Sequence, residues 1–304
     1  MISVQNISKT FGAQKAVNQV SLNVKAGEFY SLLGPNGAGK STTLNILSSL
    51  IKADSGTCSI KGNNLPDQAE RAKKITGIVP QEIALYDDLS ALENLSFWGS
   101  LYNLSKSEIS TRAEKILKDF GLLDRAKDKI KTYSGGMKRR INIACALMHN
   151  PEVIFMDEPT VGIDPQSRNN IYDGIEKLRK DGKTILYTTH YMEEAERFSD
   201  RIGIIDNGSL IAEGTLDELR KLGNIRESVT VECAAIPENL TSLAGLNYKV
   251  IENKISFTVD SVKSSLPGIL QKCFEGGLDV THIDISKANL EAVFLALTGK
   301  NLRD

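Results

Sequence analysis

The segment Gly34-Pro35-Asn36-Gly37-Ala38-Gly39-Lys40-Ser41 limits the possible folds more than any other stretch of the chain. Its spacing matches the glycine-rich phosphate-binding loop, the P-loop, in full. Its flanks fit as well. Phe29–Leu33 is an apolar run, as expected of a strand buried on both faces. From Lys40 onward, Leu44, Leu47 and Ile51 form one helical stripe. Glycines let successive backbone N–H groups approach phosphate oxygens where a side chain would obstruct them. The start of the following helix adds its positive dipole end. Lys40 is expected to neutralise the β and γ phosphates, and the Ser41 hydroxyl to hold Mg²⁺.

The rest of the pattern supplies an α/β framework for that loop. Val153–Met156, Gln166–Lys180 and Thr184–Thr189 alternate strand, helix and strand, which implies a parallel sheet covered by helices. The first sixty or so residues alternate like strands, with Val20, Leu22 and Val24 apolar. From about Leu89 to His149 the chain reads as mostly helical, with capping boxes at Ser90–Glu93 and Ser105–Glu108. Asn207-Gly208 predicts a hairpin between Ile202–Asp206 and Leu210–Ala212. Thr215–Glu218 opens a short helix that closes near Gly223.

Beyond it the pattern changes. Val229–Cys233, Lys249–Glu252 and Ile255–Val259 read as strands, with Asn253-Lys254 as a tight connection. A helix at Val262–Phe274, a strand at Val280–Ile285 and a last helix bearing Leu290, Val293, Phe294 and Leu297 complete a second, α+β unit.

Two further segments carry chemistry. Val153-Ile154-Phe155-Met156-Asp157-Glu158 would deliver two acids to the carboxyl edge of the sheet, where ligands bind in open α/β folds. Asp157 then suits Mg²⁺, and Glu158 suits the activation of an attacking water. Tyr133-Ser134-Gly135-Gly136-Met137 opens an apolar helix, and a serine with two glycines at a helix start makes a second anion site. The Lys138–Arg140 run beside it is read as serving that site.

The order of these segments resembles an ABC transporter ATPase cassette, over residues 1–222. Tyr133–Met137 resembles the signature motif, with Tyr and Met where Leu and Gln are most often found. Gln81 matches the Q-loop, Val161–Asp164 the D-loop and His190 the switch histidine. The resemblance implies a mainly parallel core sheet, an N-terminal antiparallel β region and a helical subdomain at about 85–150. It implies ATP and Mg²⁺. Phe11 would stack on adenine, and Gly34, Pro35, Asn36, Gly37, Ala38, Gly39, Lys40, Ser41 and Thr42 would hold the phosphates. Ser41, Gln81 and Asp157 would serve the metal, while Glu158, His190 and Gln81 would be catalytic. A second copy of the cassette would cap the nucleotide with Ser134, Gly135 and Gly136, and Asp164, the D-loop acid at the nucleotide site, would take part in communication between the two copies. In the family the helical region that contains Phe97 and Trp98 docks a membrane subunit.

The segments Thr188–Glu196 and Asn289–Phe294 resemble the ABC-2 or drug-resistance exporter branch, in which an appendage like 225–304 follows the cassette. The implied function is to power export through a separate membrane-spanning permease, at the cytoplasmic face of the membrane. Composition agrees. Lys+Arg 37 against Asp+Glu 38 leaves a net charge of −1, which argues against nucleic-acid binding by bulk charge. No stretch approaches the roughly 18 apolar residues of a spanning helix. The N-terminus shows no signal-peptide pattern, and Cys58, Cys145, Cys233 and Cys273 are scattered as in a reducing compartment. His149 and His282 lack a partnering motif and are expected to be structural. Two rival readings are a soluble ABC ATPase acting on ribosomes or DNA, and a nucleotide sensor without turnover.

Overall fold

The computed structural model describes residues 1–223, 226–237, 240–260, 262–286 and 289–299. The ends of the expected appendage, at 225 and 300–304, lie outside the described residues. The chain divides into two compact units, Met1–Leu216 and Asp217–Asn301.

The first unit runs β1 (Ile2–Phe11), β2 (Gln14–Val24), β3 (Phe29–Leu33), α1 (Lys40–Leu47), β4 (Ser55–Ile60), β5 (Asn63–Leu65), α2 (Ala69–Lys73) and β6 (Thr76–Val79). Then come α3 (Ala91–Leu101), α4 (Lys106–Asp119), α5 (Gly135–Leu147), β7 (Val153–Asp157), α6 (Pro165–Lys180), β8 (Thr184–Thr189), α7 (Met192–Phe198), β9 (Arg201–Asp206) and β10 (Ser209–Gly214). A short helix, α8 (Leu216–Leu222), begins at the division between the units.

The central sheet has the order β10-β9-β3-β8-β7-β6. Every pairing from β9 to β6 is parallel, and only the β9–β10 hairpin is antiparallel. At that hairpin Asn207 and Gly208 both have positive φ, 45° and 77°, as a type I′ turn demands.

Successive side chains of the central strands enter opposite cores. Val153, Phe155 and Leu186 join Tyr30, Leu32 and Leu44 on one face. Ile154, Met156, Ile185 and Tyr187 join Phe29, Ile171 and Phe198 on the other. Full burial of each large apolar side chain contributes about 1.5–3 kcal/mol, which is why these runs look continuously apolar. The antiparallel sheet β2-β1-β4-β5 covers the first face. Helices α3, α4 and α5 pack around a separate cluster that includes Leu95, Leu117 and Ile141. Both capping boxes form, at Ser90 with Glu93 and Ser105 with Glu108.

Some boundaries differ from the sequence pattern. Helix α1 stops at Leu47, and Ser49 turns the chain with φ 57°, so Ile51 packs on the core from outside the helix. The short strand β6 carries no readable period of its own. Its Gly77 lies so close to α5 that a Cβ there would sit 2.5 Å from the Ala146 carbonyl oxygen.

Among the described residues the second unit holds a four-stranded antiparallel sheet and, after α8, two further α-helices. Its strands are β11 (Glu227–Cys233), β12 (Tyr248–Ile251), β13 (Lys254–Val259) and β14 (Val280–Ser286), in the order β12-β13-β11-β14. Helix α9 (Val262–Glu275) covers them through Ile269 and Cys273, against Val229, Val231 and Phe257. The turn between β12 and β13 is at Glu252-Asn253 rather than Asn253-Lys254, because Lys254 already pairs with Ile251. Helix α10 (Leu290–Thr298) is capped by Asn289, which accepts from the Ala292 N–H at 3.0 Å, and it ends at left-handed Gly299.

Candidate functional site

Because β3, β6, β7 and β8 run parallel, their carboxyl ends line up along one edge. Register places Leu33 beside Thr189, Asp157 beside Thr188, and Val79 beside Met156. The four segments that follow these strands therefore meet there: the phosphate loop, Gln81, the acid pair and His190.

The loop conformation requires glycine at Gly39, where φ is 102° and a Cβ would lie 2.3 Å from the Ala16 carbonyl oxygen. Gly39 also begins α1 without a side-chain cap, and no acid stands in the first turn. The first N–H groups of that helix are thus available to an anion.

The Lys40 ammonium is 4% exposed. It donates to the carbonyls of Gly34 at 2.7 Å and Pro35 at 2.9 Å, and it pairs with Glu158 Oε1 at 2.9 Å. The other carboxylate oxygen of Glu158 lies 3.2 Å from His190 Nδ1. Glu158 holds a left-handed φ of 43°, uncommon for a side chain of its size. Its N–H donates to the hydroxyl of Thr188 at 3.0 Å, which helps to fix that strained turn.

Ser41 Oγ donates to Asp157 Oδ1 at 3.0 Å, and the Thr188 hydroxyl donates to the same oxygen at 2.6 Å. The Ser41 hydroxyl and the Asp157 carboxylate are hard oxygen donors of the kind Mg²⁺ accepts, and Ser41 and Gln81 line the same cleft. The residues fit that ion.

A cleft of about 310 Å³ opens over this floor, lined by Phe11, Gln14, Ala16, Asn36–Thr42, Gln81 and Glu158. Phe11, at the end of β1, is 51% exposed at the cleft, with the Lys9 ammonium 5.6 Å from its ring centroid. Gln81 is steered from α5. Arg139 donates to the carbonyls of Pro80 at 2.9 Å and Gln81 at 2.5 Å, and Asn142 accepts from the Ala84 N–H at 3.1 Å.

That arrangement corrects the reading of the basic run. Arg139 and Arg140 are buried, and Arg140 donates to the Phe120 carbonyl at 2.8 Å. Lys138 pairs with Asp87 at 2.8 Å. All three charges staple neighbouring segments rather than attend the Ser134–Gly136 glycines.

Ser134, Gly135, Gly136 and Asp164 do not line the cleft. Ser134 caps α5 by accepting from the Met137 N–H at 3.2 Å, and Asp164 caps α6 by accepting from the Ser167 N–H at 2.9 Å. Hydrogen bonds from the Ser167 backbone N–H and then its side chain hold the Asp164 carboxyl below its usual range. Gly136 abuts Ser167 so closely that a Cβ would lie 2.3 Å away.

His149 stacks on Tyr102 with centroids 3.7 Å apart and lies 3.1 Å from the Thr76 carbonyl. Burial lowers its pKa to about 4, so it stays neutral inside the packing. His282 stands exposed on β14. Phe97 and Trp98 meet edge-on at 5.9 Å but differ in burial: Trp98 packs on the helical cluster, whereas Phe97 is exposed and also lies edge-on to Tyr86 at 5.0 Å. Sequence reasoning gave Thr188 no role and Arg139 the wrong one. Nothing in the adjoining residues, Tyr187 and Thr189 or Lys138 and Arg140, marks either position.

Residues 17–161 match the family model described as ABC transporter. The linearmycin resistance ATP-binding protein of Bacillus subtilis (strain 168) is 46% identical, with all of both chains covered. The daunorubicin resistance ATP-binding protein of Streptomyces coeruleorubidus is 35% identical over 99% of this chain and 97% of that one. The Nod factor export ATP-binding protein I of Cupriavidus metallidurans is 38% identical over 100% and 99%. Among solved structures, an ATP-binding subunit of an ABC transporter superposes with a TM-score of 0.68 at 32% identity, covering 74% of this chain and 94% of that one. A dimeric ATP-binding cassette bound to ADP and Pi gives 0.64 at 34% identity, over 71% and 98%. Among the described residues no helix is long and apolar enough to cross a membrane. The chain belongs to the ABC transporter family, as one of its ATP-binding, ATP-hydrolysing subunits.

Proposed function

We propose that this subunit powers export through a separate membrane-spanning permease, working as a head-to-tail pair of cassettes at the cytoplasmic face of the membrane. The observation that carries the reading is the convergence of Lys40, Ser41, Asp157, Glu158 and His190 at one sheet edge. The names of the relatives above, drug resistance and Nod factor export, support export as the direction.

The phosphates of ATP would lie on the Gly34–Thr42 backbone, with Phe11 against the adenine. Ser41 and Asp157 would hold Mg²⁺, with Gln81 beside them; the ion supplies neutralisation of charge on the β and γ phosphates. A γ-phosphate arriving at Lys40 would compete with Glu158 for the ammonium. Once released, that carboxylate can take a proton from an attacking water, and His190 can contact the γ-phosphate.

Ser134, Gly135 and Gly136 of each chain, and Asp164 with them, would complete the site of the other copy. Their absence from their own chain's cleft suits that role. The solved dimer of a similar cassette supports the pairing. The second unit would help to hold or regulate that dimer. Removal of 225–304 is expected to change dimer formation, ATPase rate or transport, and all three unchanged would reject that role.

For the permease the candidate contact is the exposed apolar group Tyr86, Phe97 and Leu101 on the helical subdomain. The test is isolation of the full chain from membranes, with and without Tyr86→Ala/Phe97→Ala. The unaltered chain should hydrolyse ATP with Mg²⁺ and carry an integral membrane protein with it. The double variant should lose that protein while its own phosphate release stays within about twofold, since neither ring enters the cleft. Retention on ribosomes or DNA at physiological salt, with no membrane protein bound, overturns the reading.

A further inference from the structure

Glu194, in the first turn of α7, has the least expected environment in the first unit. Its side chain is 1% exposed, and its charge is met by hydroxyls rather than by an ion pair. Oε1 accepts from Thr160 Oγ1 at 2.5 Å and from the Tyr172 hydroxyl at 2.9 Å. Oε2 accepts from the Tyr187 hydroxyl at 2.9 Å and from Thr189 Oγ1 at 2.6 Å. Removing a carboxylate from water is costly, and a buried one needs a full set of donors. Burial, followed by the nearby Glu194 charge, pushes the Tyr172 and Tyr187 phenols up, so both remain protonated donors.

The donors come from the places that matter for turnover. Thr160 lies two residues beyond Glu158, and Thr189 immediately precedes His190. The Thr189 hydroxyl also accepts from the Tyr191 N–H at 2.9 Å, so the chain is held on both sides of the histidine. One carboxylate therefore grips both strand ends whose side chains meet in the 3.2 Å contact between Glu158 and His190. The strained φ of Glu158 makes such a grip necessary, since a turn of that kind persists only where its surroundings over-determine it.

We infer that Glu194 is a positioning residue for ATP hydrolysis: it fixes the separation and orientation of Glu158 and His190 through Thr160 and Thr189. The inference rests on the reading of those two residues as the base and the γ-phosphate contact. A glutamine there keeps the shape. Its NH₂ group, however, would face two hydroxyls that now donate, and those two must turn away. Small losses of alignment between reacting groups act on rate far more than on affinity.

The experiment compares Glu194→Gln, His190→Ala and the double variant of the full chain, by single-turnover phosphate release and by ATP binding. Glu194→Gln is expected to lower the rate at least ~10-fold with KM within about twofold. In the His190→Ala background the same change should cost clearly less than it does in the unaltered chain, because one of the two groups it positions is gone. Tyr172→Phe removes one of the hydroxyls and should cost roughly three- to fivefold in rate, which keeps the test open if Glu194→Gln does not fold. A rate unchanged in both Glu194→Gln and Tyr172→Phe, a loss expressed in KM, or full multiplication with His190→Ala overturns the inference. Normal turnover by His190→Ala alone would instead reject the underlying reading of the histidine.

Discussion

Glu158→Gln should bind ATP with near-normal affinity and hydrolyse it at least ~100-fold more slowly, within the range general-base catalysis contributes. The two side chains have the same shape, so Glu158 is replaced without a cavity. The amide oxygen can still accept from Lys40, as Oε1 does at 2.9 Å. What is lost is the ability to take a proton from water. Binding and turnover should therefore separate cleanly. Because the γ-phosphate is retained, the ATP-bound pair of cassettes should accumulate and elute as a dimer in the presence of ATP and Mg²⁺. Multiple-turnover hydrolysis at the normal rate would remove Glu158 from its assigned role. A failure to bind ATP would show that the carboxylate holds the loop together instead.

The second large effect belongs to Lys40→Met. The straight apolar chain retains the volume of the lysine stem but removes the cation. Charge-assisted hydrogen bonds are worth about 1.5–3 kcal/mol each, so the loss toward the phosphates should weaken ATP binding by ~100-fold or more. Glu158, only 5% exposed, is then left without its ammonium partner. Breaking a buried pair by removing one member typically costs about 3–5 kcal/mol. A fall in unfolding temperature should accompany the loss of binding. Adding Glu158→Gln to Lys40→Met removes the stranded charge, and most of that stability should return while ATP binding does not. Calorimetric unfolding together with nucleotide titration distinguishes the two losses. A Lys40→Met protein that binds ATP normally would show that the backbone N–H groups of the loop suffice alone.

The residues most legible in the sequence were those whose task is local. The glycines at 34, 37 and 39, the caps at Ser90 and Ser105, and the Asn207-Gly208 turn act within a few positions of themselves, so their spacing is their signal. The strands Phe29–Leu33 and Val153–Asp157 stood out because burial on both faces leaves no polar alternation. Helix α1 looked longer than it is, since Ile51 continues the stripe although the chain has already turned at Ser49. Arg139 and Arg140 were misread for the opposite reason. A basic run beside glycines looks like an anion site until the fold shows their guanidinium groups held by the carbonyls of Pro80, Gln81 and Phe120.

The amino-acid order alone determined that this chain has a phosphate-binding loop, a paired acid strand and the motif series of an ABC ATPase. Each of these is written in consecutive residues. Only the tertiary structure decided which of them touch. Ser41 reaches Asp157 across 116 positions, Glu158 meets His190 across 32, and Glu194 gathers Thr160 and Tyr172 from separate elements. Those contacts depend on the strand order β3-β8-β7 and on its register, which side chains far apart in sequence settle together by packing both faces of the sheet. No local pattern encodes that register, because it is the cooperative outcome of two cores filling at once.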